Sequence, residues 1–494
     1  MNIRTLFCAL YFCPLAAISC STESGIVNPV KNPSDTITNN QPSATVYITT
    51  SDRMNELAKK TATLKTGQAS TATNRILLDT LTHYQTMDGF GGAITGSTCY
   101  NLLRMTAENR AKFLKQTFSP TDGYGFSYVR VSIGCSDFSL SEYTCCDQEG
   151  IENFELTNEE NNYVIPVLKE ILAINPSLKI IAAPWTAPRW MKVTEAGGST
   201  PYNSWTSGHV ATKYFQDYAT YFVKWIKAFQ TNGINIYAVT PQNEPLNGGN
   251  SASTLMYWDE EQAFVRDALG PKFAEAGITT KIYAYDHNYD QYSYPLNIYN
   301  DAKAAAYITG AAFHNYLGDK SALLNVHSKS DKGLLFTETS IGEWNNGRDL
   351  SVRLINDMNE VALGTVNNWC TGVIVWNLML NTDKGPNRNG GCQSCYGAVD
   401  ISTSDYATIS KNSHYFIIGQ FSAVVKPGAI KIGTNSGSSL TGITSAAFKN
   451  TDGSFAVVLS NSNTDVKVVT ISDGTNFFNY PCPARSVVSF CWKK

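Results

Sequence analysis

Histidine is scarce in this 494-residue sequence: six are scattered along it, with no HxxxH pair. The Cys392-Gln-Ser-Cys395 stretch has no second ligand pair at matching spacing, so no structural metal is expected. A surplus of positive charge is also missing. Lys plus Arg number 38 against 41 Asp plus Glu, a net charge of −3, which argues against a nucleic-acid partner. The charged fraction of 16% lies below the usual ~25%, while 43% of residues are apolar, enough to fill a sizeable core. No repeat of 20–50 residues is visible. No Gly-rich phosphate loop opens a helix after a strand, and the Gly-Phe-Gly-Gly at 89–92 has the wrong spacing, so no nucleotide cofactor is expected, nor any other. Aromatics are plentiful: 9 Trp, 26 Tyr and 22 Phe, a content that suits core packing and also stacking on sugar rings.

The N-terminus carries one early cation, Arg4, then an apolar run to Ile18, too short for the ~20 residues that span a bilayer. Residues 1–19 read as an export signal. Cys20 directly follows the small residue Ser19, as in bacterial lipoprotein signals, so a lipid on Cys20 is expected to hold the protein at a membrane face or the cell surface. Residues 20–44, rich in Ser, Thr, Asn and Pro, read as a flexible tether. Without Cys8, Cys13 and Cys20, nine cysteines remain, so at least one thiol has no partner within the chain. Cys392 with Cys395, and Cys482 with Cys491, are close enough in sequence to pair.

β-branched and aromatic runs alternate with helical patterns further on. Eight segments read as strands: 87–93, 126–133, 179–184, 234–240, 281–286, 311–315, 334–337 and 372–377. Between them the clearest helix covers 207–229, where Val210, Tyr214, Tyr218, Tyr221, Phe222, Trp225, Ile226 and Phe229 form one apolar stripe closed by Gly233. Eight such units predict an α/β fold, a (β/α)8 barrel over 84–420. Residues 421–494 change to short alternating runs broken by Gly, Asn and Asp, an antiparallel β-sandwich that N-terminal strands within 45–83 are expected to join.

In a barrel the reacting groups follow the C-terminal ends of the strands. Strand four is followed by Asn243-Glu244 and strand seven by Glu338. Glutamate is depleted in strands and costly to bury alone, so each taken singly reads as a salt bridge or helix cap. On strands four and seven of one barrel, they can flank a bound sugar. One carboxylic acid protonates the leaving oxygen and a second carboxylate works from the other face; a neighbouring negative charge is expected to keep the acid protonated. Asn243 can donate to a sugar hydroxyl. Further candidates at strand ends are Asp137, Trp185, His314, Tyr316 and Trp376.

Eight segments in order, among them DGFGGAIT (88–95), RVSIGCSDFS (130–139), AVTPQNEP (238–245), FHNYLGD (313–319) and LLFTETSIGEW (334–344), make the chain resemble glycoside hydrolase family 30. The resemblance implies a retaining mechanism with Glu244 as acid/base and Glu338 as nucleophile. It also implies a sugar subsite lined by Asp137, Trp185, Asn243, His314, Tyr316 and Trp376, with Trp344 extending the aromatic wall. Glucosylceramidase-like members carry an acidic residue where this chain has Gly96. The expected activity is endo-β-1,6-glucanase action on an extracellular β-glucan by a monomer. Rivals are an exo-acting β-glucosidase or glucosylceramidase-like enzyme, and a non-catalytic surface protein that binds glycans.

Overall fold

Strand alternation places every second residue of a barrel strand in the lumen. The computed structural model, which describes residues 42–67, 69, 74–436 and 440–494, shows the result. Eight parallel strands surround the lumen: β1 (Gly89–Gly92), β2 (Tyr128–Ile133), β3 (Lys179–Pro184), β4 (Ala238–Val239), β5 (Lys281–Asn288), β6 (Ile308–His314), β7 (Gly333–Glu338) and β8 (Cys370–Val375). All eight fall on the segments read from the sequence. They pair in the order β1-β8-β7-β6-β5-β4-β3-β2, and a bridge between Ala93 and Arg130 closes the ring. One residue from each of β2 to β8 (Tyr128, Ile181, Ala238, Tyr283, Ala312, Leu335 and Ile374) fills the lower lumen as a separate apolar cluster. On β1 the backbone itself packs there: a Cβ at Gly91 would lie 1.8 Å from the Tyr128 carbonyl oxygen.

The helix after β3 covers Phe215–Thr231, not 207–229. Its stripe from Tyr218 to Phe229 is buried as expected, and Gly233 ends it with a φ of 79°. The early part differs because Ser207 and Gly208 both adopt positive φ, which breaks a helix, and His209–Val210 instead pairs with Lys192–Val193 in a two-stranded ribbon.

The second sheet has ten strands. Ser486–Trp492 lies between Ser43–Thr50 and Phe455–Asn461, while Arg75–Thr86 lies between Ile430–Ser436 and Lys467–Ser472. N-terminal strands therefore do complete the C-terminal sandwich, as expected. The first of them starts at Ser43, inside the stretch 20–44 read as tether; the signal and Cys20 lie outside the described residues. The fully buried helix Ser413–Ser422, which spans the anticipated 420/421 division, joins the two parts: Gln420 donates to Thr49 at 2.9 Å and accepts from Ser489 at 2.5 Å. Cys392 and Cys395 form a disulfide. Cys482 and Cys491 do not pair, because Cys482 points into the sandwich core while Cys491 sits between the core residues Phe490 and Trp492 and so faces the other way. Among the described residues no helix is long and apolar enough to cross a membrane.

The β1–β2 seam supplies a direct test. Gly91→Ala is expected to cost about 2–3 kcal/mol through overpacking against a backbone atom that cannot swing away. Denaturant unfolding measures it; a loss under about 0.5 kcal/mol, the range of an ordinary surface change, would refute the close packing at this seam.

Candidate active site

Two residues above the apolar layer the same alternation continues, and the lumen turns polar. Arg130 stands above Tyr128, Thr240 above Ala238, His314 above Ala312, Thr337 above Leu335 and Trp376 above Ile374. On β5 the register slips between Tyr285 and His287, and Tyr285 and Asp286 both take positive φ (77° and 65°). Left-handed backbone is unfavourable for such residues, so the surrounding contacts must hold it. They do: Thr240 and Thr337 each donate to the Asp286 carboxylate at 2.6 Å, and Arg130 does so at 2.7 Å.

Arg130 is the hub. Its guanidinium, wholly buried, also donates to Glu338 Oε2 at 2.6 Å and to Asn243 Oδ1 at 2.7 Å. The rings of Trp185 and Trp376 cover it at 4.7 and 5.5 Å, themselves stacked at 5.0 Å. Glu338 Oε1 accepts from the Tyr316 hydroxyl at 2.9 Å. Glu244 follows β4 with a φ of 46°; its Oε2 accepts from Asn247 at 2.8 Å, and its Oε1 lies 3.2 Å from His314 Nδ1. The other ring nitrogen of His314 is 3.1 Å from Asp286. One carboxylate oxygen of Glu244, one of Glu338 and a His314 nitrogen all lie within 4.8 Å of one another.

That spacing would admit a cation, but the donors do not suit one. Both nitrogens of His314 face carboxylates. Burial alone would lower its pKa, yet Glu338, Asp286 and Glu244 raise it to about 9, so the ring stays protonated and has no lone pair to offer.

A cavity of about 320 Å³ opens over the two glutamates. Asp137, Glu244, Tyr316, Glu338, Trp344 and Trp376 line it, together with Asn247, Asn288 and the Cys392–Cys395 disulfide. Six of the nine residues picked from the sequence thus share one cavity. Trp185, Asn243 and His314 lie beneath that wall rather than in it; they set Arg130 and Glu244 in place. Arg130 and Asp286 were not among the candidates, nor was Asn247. At Gly96 a Cβ would fall 1.9 Å from the Glu159 carboxylate, so a side chain at this position requires Glu159 to move aside.

The charges constrain one another. Asp286 stays ionised: burial would raise it, but Arg130, His314 and Thr240 hold it far below the usual range. Two buried cations then face three carboxyl groups, so a neutral cluster needs one proton on the glutamates. Burial, with the charge of Glu244, raises Glu338 above the ordinary carboxyl range. Burial also acts to raise Glu244, but the hydrogen bond and charge of His314, with His287 and Asn247, bring it down to about 2. The expectation that a neighbouring charge keeps Glu244 itself protonated is therefore corrected: the retained proton belongs to the two carboxyls together. Burial, then the Glu338 charge, pushes Asp137 up to about 8, which leaves it able to donate a hydrogen bond near neutrality.

Two carboxyl groups across a barrel mouth, over a tryptophan floor, define a glycosidase of the two-carboxylate kind. The pattern of the "Glycosyl hydrolase family 30 TIM-barrel domain" matches residues 87–425, and that of the family's "beta sandwich domain" matches 428–490. The chain belongs to glycosyl hydrolase family 30 and is a glycoside hydrolase. It is similar to the endo-1,6-beta-D-glucanase neg1 of Aspergillus fumigatus, 32% identical over 434 residues, which cover 83% of this chain and 85% of the relative. The lysosomal acid glucosylceramidase of Mus musculus is 28% identical, with 83% and 82% covered. Among solved structures, "The endo-beta1,6-glucanase BT3312" is 59% identical with a TM-score of 0.89, covering 92% of this chain and 99% of that one.

His314 has a pKa raised from 6.5 to about 9, so its contribution to stability is complete below pH 6.5 and is lost as pH rises through about 9. Denaturant titrations from about pH 6 to pH 10 are expected to show the unsubstituted protein losing about 3 kcal/mol more than His314→Gln. Equal slopes would mean that the ring is neutral in the folded protein.

Proposed function

We propose that this chain is a retaining endo-β-1,6-glucanase that cleaves by double displacement. The observation that carries the reading is that one carboxylate oxygen of Glu244 lies within 4.8 Å of one of Glu338, which suits the ~5–5.5 Å carboxyl spacing of retaining enzymes better than the ~6.5–9.5 Å of inverting ones. The likeness to "The endo-beta1,6-glucanase BT3312" over 92% of the chain supports the substrate class.

In the first step a Glu338 carboxylate oxygen attacks the anomeric carbon. The bond to the leaving oxygen breaks, and that oxygen takes the proton from Glu244. The attacking form needs the shared proton on Glu244. Arg130 and Tyr316, both donors to Glu338, stabilise that form against the opposing pull of His314 and Asn247 on Glu244. Burial holds the Tyr316 hydroxyl protonated, with the Glu338 and Glu244 charges adding. In the second step Glu244, now ionised, takes a proton from water, whose oxygen displaces Glu338 from the sugar. Trp376 serves as the stacking floor, Trp344 as part of the wall, and Asp137 as a donor to sugar hydroxyls. Asn243, whose Oδ1 is occupied by Arg130, has its amide N–H groups left to donate.

The reading includes location. Residues 1–19 act as an export signal, and a lipid on Cys20, followed by the polar stretch after it, tethers a monomeric enzyme at the membrane where external glucan arrives.

Glu338→Gln is expected to lose at least about a thousandfold in kcat while still binding β-1,6-glucan. Substantial residual turnover would remove its role as nucleophile. Incubation with β-1,6-glucan, laminarin, cellulose and xylan tests the substrate: a ladder of β-1,6-linked oligosaccharides is expected, whereas monosaccharide alone means exo action, and no release from any polymer means a binding protein. Fatty-acid labelling in the native host is expected to mark the full chain and not its Cys20→Ser variant; labelling of both would overturn the anchor.

A further inference from the structure

The loop that carries Glu244 does not end at the catalytic cavity. Glu244, Asn247 and Asn250 line that cavity, while Leu246, between them in the chain, lines a second cavity of about 320 Å³. The end of β5 and the turn after it behave in the same way: Asn288 faces the catalytic cavity, and Gln291 and Ser293 face the second. Two neighbouring segments therefore form walls of both.

The second cavity has the chemistry of a sugar platform. Tyr257 and Trp258 line it and are 44% and 41% exposed, unusual for residues this large. Asp259, Gln291, Ser293 and Asn297 complete the lining with hydrogen-bonding groups. A pyranose ring has one face of C–H groups, which stacks on an aromatic ring, and a rim of hydroxyls, which such groups bind. No charged cluster marks the cavity for an anion, since Asp259 is the one carboxyl side chain in its lining and no Lys, Arg or His is part of it.

We infer that this cavity binds glucosyl units of the glucan on the leaving-group side, beyond the sugar next to the cut bond. Glu244 must sit beside the leaving oxygen, so the chain beyond that oxygen departs on the Glu244 side, and the loop from Glu244 to Tyr257 leads to the platform. The inference rests on the endo-β-1,6-glucanase reading. It adds a length of substrate that the catalytic cavity alone does not hold, and with it a preference for long chains.

The test compares the full chain with its Tyr257→Ala/Trp258→Ala variant on a β-1,6-glucan polymer and on the β-1,6-linked disaccharide. On the polymer kcat/KM is expected to fall about tenfold, mainly through KM, with disaccharide hydrolysis unchanged. Tyr257→Phe/Trp258→Phe, which keeps both stacking faces, is expected to restore polymer cleavage. Equal polymer kinetics in the Ala variant, or a parallel loss on polymer and disaccharide, would overturn the platform. So would failure of the Phe variant to restore cleavage. An unsubstituted protein that cleaves no β-1,6-glucan would instead overturn the glucanase reading itself.

Discussion

A single buried cation fixes the reactive end of the barrel. The Arg130 guanidinium reaches Asn243 after β4, Asp286 on β5 and Glu338 on β7, and it lies under aromatic rings that follow β3 and β8. Taking a guanidinium out of water costs several kcal/mol, which only well-placed acceptors can offset. Its planar fork meets them at 2.6–2.7 Å in fixed directions, so the acceptors are held as firmly as the cation. A lysine could not span three strands in this way. Asp286 does the same service below His314, and the strained backbone at Tyr285 and Asp286 is the local cost of turning that carboxylate inward.

The electrostatics follow from enclosure rather than from any one residue's identity. Five ionisable groups meet, each of them buried: Arg130, His314, Asp286, Glu244 and Glu338. None can change protonation without altering the balance of the rest. Catalysis needs that kind of economy, because a proton must pass to the leaving oxygen and return from water while the cluster stays near neutrality.

Much of this was legible in the sequence, for physical reasons that also mark its limits. Eight strands were placed because runs such as Lys179–Pro184 have a composition that fits little else. Glu244 and Glu338 stood out as acids just past apolar runs. Arg130 and Asp286 are as improbable, yet they fall inside predicted strands instead of after them, and attention to strand ends passes over them. Arg130 shows as a charge at a lumen-facing position once alternation is followed upward from Tyr128, whereas Asp286 lies off the alternation that starts at Tyr283 and is turned inward only by the backbone slip at Tyr285 and Asp286. The helix start was missed because Val210 fits the apolar stripe equally well from an extended segment; only the backbone at Ser207 and Gly208 decides the matter. Trp185, Asn243 and His314 stood out at strand ends, but their contacts with Arg130 and Glu244 did not, since sequence gives the strand end and not the depth of the side chain.

The position of Ser486–Trp492 in the second sheet has a consequence for biogenesis. It is an inner strand, flanked by segments that begin at Ser43 and Phe455, and it bonds to both along its length. When a ribosome has delivered the barrel, the sheet beside it still lacks its middle. The earliest strands must wait, unpaired on that edge, for a partner made more than four hundred residues later. Closure of the sheet is thus a late event that couples the two ends of the polypeptide, and it favours a chain that stays loose until synthesis has passed residue 492.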